Sequence, residues 1–129
     1  MNMERLTNQF KDLIQKSHAL CIEKSQNMID EAHLLQISLE DSQSTIYSIL
    51  NLSRISIPAT LETIKNKVNS YPVIQESDQV GISGKLNQLF ILSELKAKEL
   101  GDSYISTEVF LLVLLEKDSC LSNVINPNK

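Results

Sequence analysis

The sequence predicts an all-α domain made of two small, pseudo-repeated helical bundles packed as one unit. Three observations carry this. Apolar residues recur at three- and four-residue steps along most of the chain. Glycine and proline are scarce, at three each in 129 residues, so tight turns and the strands they connect are disfavoured. And the sequence resembles itself at a spacing of 76 positions, the distance from Ile29 to Ile105.

The elements follow in order. Leu6, Phe10, Leu13, Ile14, Leu20 and Cys21 line one face of a first helix, and Thr7 offers a hydroxyl to cap its start. The polar stretch 24–27 ends it. Asp30 suits the cap of a second helix carrying His33, Leu34, Ile37 and Leu39, and a third runs over about Thr45–Leu52. Pro58 fits the first turn of a fourth, where a missing amide costs nothing, and Leu61, Ile64 and Val68 give that helix its apolar face. Residues 73–84 read as a linker because they hold two of the three glycines and no helical period. A fifth helix spans about 85–100, closed by Gly101 in a left-handed cap position. Ser106 caps a sixth through Glu116, and a short seventh covers about 121–126. The end, 126–129, reads as frayed or cut.

At the 76-residue spacing Leu13 meets Leu89, Ile14 meets Phe90, Ser17 meets Ser93, Cys21 meets Ala97 and Met28 meets Tyr104. Leu34 meets Phe110, Ile37 meets Val113, Leu39 meets Leu115, and the cap Asp30 meets Ser106. The expected organisation is therefore a single domain over 1–129. Repeat one covers about 5–72, the linker about 73–84 and repeat two about 85–129. Each repeat alone is too small to bury its apolar face well.

The doubling also serves as an internal control. Positions apolar in both copies are expected in the core. Ile91, Leu92 and Leu95 break the pattern, because they correspond to Gln15, Lys16 and Ala19; Val109 likewise corresponds to His33. Two readings stay open for this extra stripe: it packs the copies together, or it lines an exposed groove for extended apolar peptide.

Composition excludes several classes. A net charge of −4 argues against nucleic acid. The longest apolar run, 109–115, is far short of the ~20 residues of a membrane span. Residues 1–7 have no apolar signal core. Cys21 and Cys120 lack CxxC spacing and read as buried, reduced thiols, which makes the cytoplasm the expected compartment.

No catalytic constellation is expected either. The sequence has no G-x-x-x-x-G-K-[ST] phosphate loop, and Ser83-Gly84-Lys85 is only a fragment of one. His18-x-x-Cys21 puts two metal-ligand types on one helical face with no second pair to complete a site. Asp30-x-x-His33 is half of a carboxylate-bundle motif, and the second copy offers Ser106 and Val109 instead. His33 is read as a helix residue partly packed at its unit's core. No metal and no cofactor are expected.

Several segments resemble the N-terminal domains of ClpB-type disaggregase chaperones. They are Arg5-Leu6-Thr7-Asn8-Gln9-Phe10, Ile29-Asp30-Glu31-Ala32-His33-Leu34-Leu35 (the family's I-x-P-x-H-L-L), and Tyr71-Pro72-Val73 beside an L-P-x-V. The stretch from Gly101 to Glu108 matches the fixed positions of G-D-x-[FY]-I-S-x-E. The resemblance spans about residues 4–125. It implies a non-catalytic domain that binds exposed apolar segments of unfolded or aggregated clients. The full-length protein would be an AAA+ ATPase, a hexamer working with a DnaK-type chaperone, and the isolated domain a monomer. Among residues implicated in the family, Thr7, Asp102 and Glu108 are retained, and the apolar groove falls near Phe90, Leu92 and Val109. Thr7, Asp102 and Glu108 also have purely structural readings, as a helix cap, a loop-rim residue and a favourable charge at a helix start.

Two departures stand out. Lys96 replaces a leucine common in the groove, and Glu31 replaces a first-turn proline at little expected cost. A regulatory scaffold that docks one folded adaptor is the alternative function, and a small stand-alone enzyme a distant third.

Overall fold

The computed structural model describes residues 3–74 and 79–125. Residues 75–78 of the expected linker and the end at 126–129 lie outside them. Seven α-helices follow one another among the described residues: α1 (Asn8–Glu23), α2 (Glu31–Glu40), α3 (Thr45–Leu52), α4 (Ile57–Asn69), α5 (Gly84–Glu99), α6 (Thr107–Glu116) and α7 (Cys120–Ile125). A 3-10 turn over Met3–Arg5 precedes them. The chain is all-α as expected, with very little sheet.

Local chemistry sets most helix starts. Thr7, Ser44, Ser56, Ser83 and Ser106 each accept a backbone N–H three residues on through the side-chain oxygen, which satisfies one orphan amide per helix. Pro58 sits in the first turn of α4. At the end of α5, Gly101 takes φ 75°, and the N–H groups of Gly101 and Asp102 close onto the carbonyls of Lys98 and Ala97. The linker reading is corrected at its edge. Ser83 caps α5, which starts at Gly84, and Gly81–Ile82 forms a short strand.

That strand (β2) pairs in parallel with β1 (Met28–Ile29), with Ile29 opposite Ile82. A second parallel bridge joins Leu6 to Ile105. At the 76-residue spacing Leu6 corresponds to Ile82 and Ile29 to Ile105, so the two pairings are equivalents of one another. Each joins the entry of one copy's first helix to the entry of the other copy's second helix. Ser83 N donates to Ile29 O at 2.9 Å, and Thr7 N donates to Ile105 O at 3.0 Å. Helix packing crosses in the same way: α7 packs on α2, and its counterpart α3 packs on α6.

The core is one apolar cluster drawn from both copies. Phe10, Phe90 and Phe110 meet near its centre, with ring centroids 5.2–5.8 Å apart. One inference from the doubling is corrected. Met28 and Tyr104 are apolar in both copies yet are 44% and 59% exposed, each one residue before the buried, paired Ile29 and Ile105, where strand alternation turns successive side chains to opposite faces. Cys21 is buried, with its thiol pushed up to about 11 by desolvation. Cys120 is only partly covered.

The first copy also carries a buried polar cluster. Asp30 N donates to His33 Nδ1 at 2.9 Å, so the other ring nitrogen bears the proton and donates to Gln26 Oε1 at 2.7 Å. Gln26 Nε2 passes the chain on to Val68 O at 2.8 Å. The Asp30 carboxylate accepts from Tyr71 Oη at 2.5 Å and from Ser83 Oγ at 2.7 Å. Burial holds His33 below its ordinary pKa and its ring neutral. The cluster ties α2, the end of α4 and the start of α5 together.

Candidate functional site

The Leu6–Ile105 bridge fixes the geometry of the candidate surface. Ile105 N donates to Arg5 O at 2.7 Å, and Thr7 returns the bond to Ile105. The start of α1 therefore lies beside the loop that leads into α6. Thr7 is spoken for: its hydroxyl caps α1 at Phe10 N, 3.2 Å away. Glu108 is exposed in the first turn of α6 and Asp102 is exposed just after Gly101. Thr7 and Glu108 thus share one end of the molecule, with Asp102 three residues before the bridge.

The apolar residues of the expected groove separate into two groups. Phe90 is 2% exposed and belongs to the aromatic centre of the core, so it offers no surface. Val109 is 5% exposed and is essentially core as well. Leu92 is half-buried against that core. Ile91 and Leu95, at 47% and 53% exposure, are the open part of the stripe. The buried side of α5 is already filled by Leu86, Leu89, Phe90, Ser93 and Ala97.

Ion pairs frame this stripe. Arg5 reaches Glu94 at 3.6 Å, joining the first turn of the chain to α5. Lys96 spans from α5 to Glu116 on α6 at 3.0 Å and to Glu99 at 3.6 Å. The Glu116 carboxylate holds the Lys96 ammonium above the ordinary lysine value. Where the family resemblance expects a leucine, the surface instead carries a tied cation.

Sequence reasoning missed other exposed apolar residues here. Leu100 and Tyr104 are 56% and 59% exposed around the Gly101 loop, and Leu112 on α6 is 36% exposed. A signal existed for Leu112: its first-copy counterpart is the polar Gln36. Among the described residues no group of three or more His, Cys, Asp or Glu side chains could hold a metal. No described helix is long and apolar enough to cross a membrane.

The architecture defines a class: a doubled helical-repeat domain with an apolar stripe left exposed on α5. The Clp repeat N-terminal domain family matches residues 5–127, and the chain belongs to that family. It is 28% identical over 126 residues to the chaperone protein ClpB of Bdellovibrio bacteriovorus, a match covering 96% of this chain and 15% of that protein. The chain therefore spans about a seventh of the length of such relatives. Its fold is similar to the Hsp104 N-terminal domain of Candida albicans, with a TM-score of 0.80, 16% identity, and coverage of 91% of this chain and 77% of that one. It is also similar to a ClpV N-domain solved in complex with a VipB peptide, with a TM-score of 0.77, 17% identity, and coverage of 97% and 79%.

Proposed function

We propose that this domain binds exposed apolar segments of unfolded or aggregated proteins for a ClpB-type ATP-dependent disaggregase. The observation that supports this most is the Ile91–Leu95 pair, exposed on a helix whose core-facing side is already full. On this reading Ile91, Leu92 and Leu95 take the client's apolar side chain. Thr7, Asp102 and Glu108 form the polar rim, and Phe90 and Val109 support the surface from beneath. Burying one client side chain contributes roughly 1.5–3 kcal/mol before the client's ordering cost is subtracted. Binding is then weak and tolerant of sequence. The whole protein would carry AAA+ ATPase rings, act as a hexamer with a DnaK-type chaperone, and work in the cytoplasm.

The second reading is a scaffold that docks one adaptor. The ClpV N-domain's complex with a VipB peptide favours it, since that similar fold holds one defined partner segment.

Titration of the 15N-labelled domain with several unrelated unfolded apolar segments separates the two. Client binding predicts weak, overlapping shifts at Ile91, Leu92, Leu95 and Glu108 for most of them. One tight partner among many non-binders supports docking instead, and shifts confined to the opposite face overturn both readings.

A further inference from the structure

Glu31 was expected to sit harmlessly at a helix start, and the structure corrects this. It opens α2 and is 4% exposed. Its Oε2 accepts from Cys120 N, the first residue of α7, at 3.3 Å. The carboxyl is thus buried in the α2–α7 seam.

From α7 the Cys120 N–H favours the ionised carboxyl and the Cys120 thiol lies close by, yet the groups around Glu31 do not offset the burial of its charge. Asp30 of its own helix start is a like charge. Tyr71 stands beyond Asp30, Lys67 approaches from α4 and Lys85 from α5. Lys85 is itself engaged with Asp118, ahead of α7, at 3.8 Å. Among the described residues no cation pairs with Glu31 within 4.0 Å.

The repeat supplies a control. The equivalent of the α2–α7 seam is the α6–α3 seam, where Thr107 replaces Glu31 and Gln9 replaces Lys85. There the hydrogen bonds are neutral: Thr107 Oγ1 donates to Gln9 Oε1 at 3.4 Å, and Gln9 Nε2 donates to Thr45 Oγ1 at 2.9 Å. One seam is indifferent to protons and the other carries an unmatched acid.

We propose that Glu31 is a proton-controlled clamp on α7. With its carboxyl neutral, α7 stays docked on α2; with the carboxyl ionised, undocking is favoured because water then reaches the charge. Release uncovers Leu121 and opens the cleft between α4 and α7 lined by Ile64, Lys67, Cys120 and Val124. Desolvation, and then Asp30, raise the Glu31 pKa to about 7, which puts the transition near neutrality.

Amide hydrogen exchange tests the clamp. After division by the intrinsic rate, protection at residues 121–125 should fall about tenfold between about pH 6 and about pH 8, while α3 stays flat. Glu31→Gln should abolish the fall in α7. An equal fall in α3, or an unchanged α7 profile in the glutamine variant, overturns the clamp. The carbon-13 shift of the Glu31 carboxyl in the unaltered chain is an independent check. A midpoint near the ordinary value of 4.5 overturns the clamp whether or not the variant folds.

Discussion

Ser17 and Ser93 lie 76 positions apart and do the same thing in the two copies. Both are fully buried, and each hydroxyl donates 2.8 Å back to the carbonyl four residues earlier, Leu13 O and Leu89 O. Those carbonyls already take part in the helical ladder, so the hydroxyl adds little there beyond fitting a narrow gap. Ser17→Ala and Ser93→Ala should each change stability by less than about 1 kcal/mol, and by similar amounts, in denaturant unfolding. Leucine at either site should overpack the core and cost about 1–3 kcal/mol.

The crossed pairings Leu6–Ile105 and Ile29–Ile82 make each copy's helix starts depend on the other copy. Each half then loses its partner segment and the other copy's share of the aromatic centre, Phe10 on one side and Phe90 with Phe110 on the other. Calorimetry of the intact chain should show one transition. Halves separated in the 73–84 segment should leave at least one largely unfolded by circular dichroism. Two fully helical halves melting independently would contradict the shared core.

On the proposed client-binding reading, exposure on α5 and α6 separates residues that bind from residues that pack. Leu95→Ser should weaken binding of an unfolded client with the melting temperature nearly unchanged. Val109→Ser should instead cost about 1–3 kcal/mol, because it puts a hydroxyl where only 5% of the residue meets solvent. Leu92→Ser should do some of both. Paired thermal melts and shift-mapping titrations of the three variants read this directly.

Lys96→Leu tests the tied cation beside the stripe. The change removes the bridges to Glu116 and Glu99 and adds an apolar residue next to Leu95, one turn after Leu92. Client affinity should rise several-fold and become less sensitive to salt, with little change in melting temperature. A loss of affinity would mean that the ammonium itself contacts the client.

Glu31 makes the domain's stability depend on pH. Its folded-state pKa, about 7, lies above the ordinary 4.5. The folded state holds this proton more tightly than the unfolded chain does. The stabilisation is therefore complete below about pH 4.5 and is lost as pH rises through about 7. The loss amounts to about 3 kcal/mol. Glu31→Gln should gain about that much over the unaltered domain near pH 8 and nothing near pH 4, as read by urea midpoints.

What the sequence determined by itself was local or periodic. Helix starts at Thr7, Asp30 and Ser106, the stop at Gly101, and the doubling at 76 positions were all legible, because a cap depends on a few neighbouring residues and a repeat on the order of residue types. The tertiary structure decided the rest. Ile91 and Leu95 are exposed while Phe90 and Val109 are covered, although all four are equally apolar. The difference depends on which side of each helix meets residues from the other copy. Glu31 looked like a surface charge because nothing within its own turn hides it. Its burial comes from α7, almost ninety residues downstream, and only the packed chain brings that helix over it.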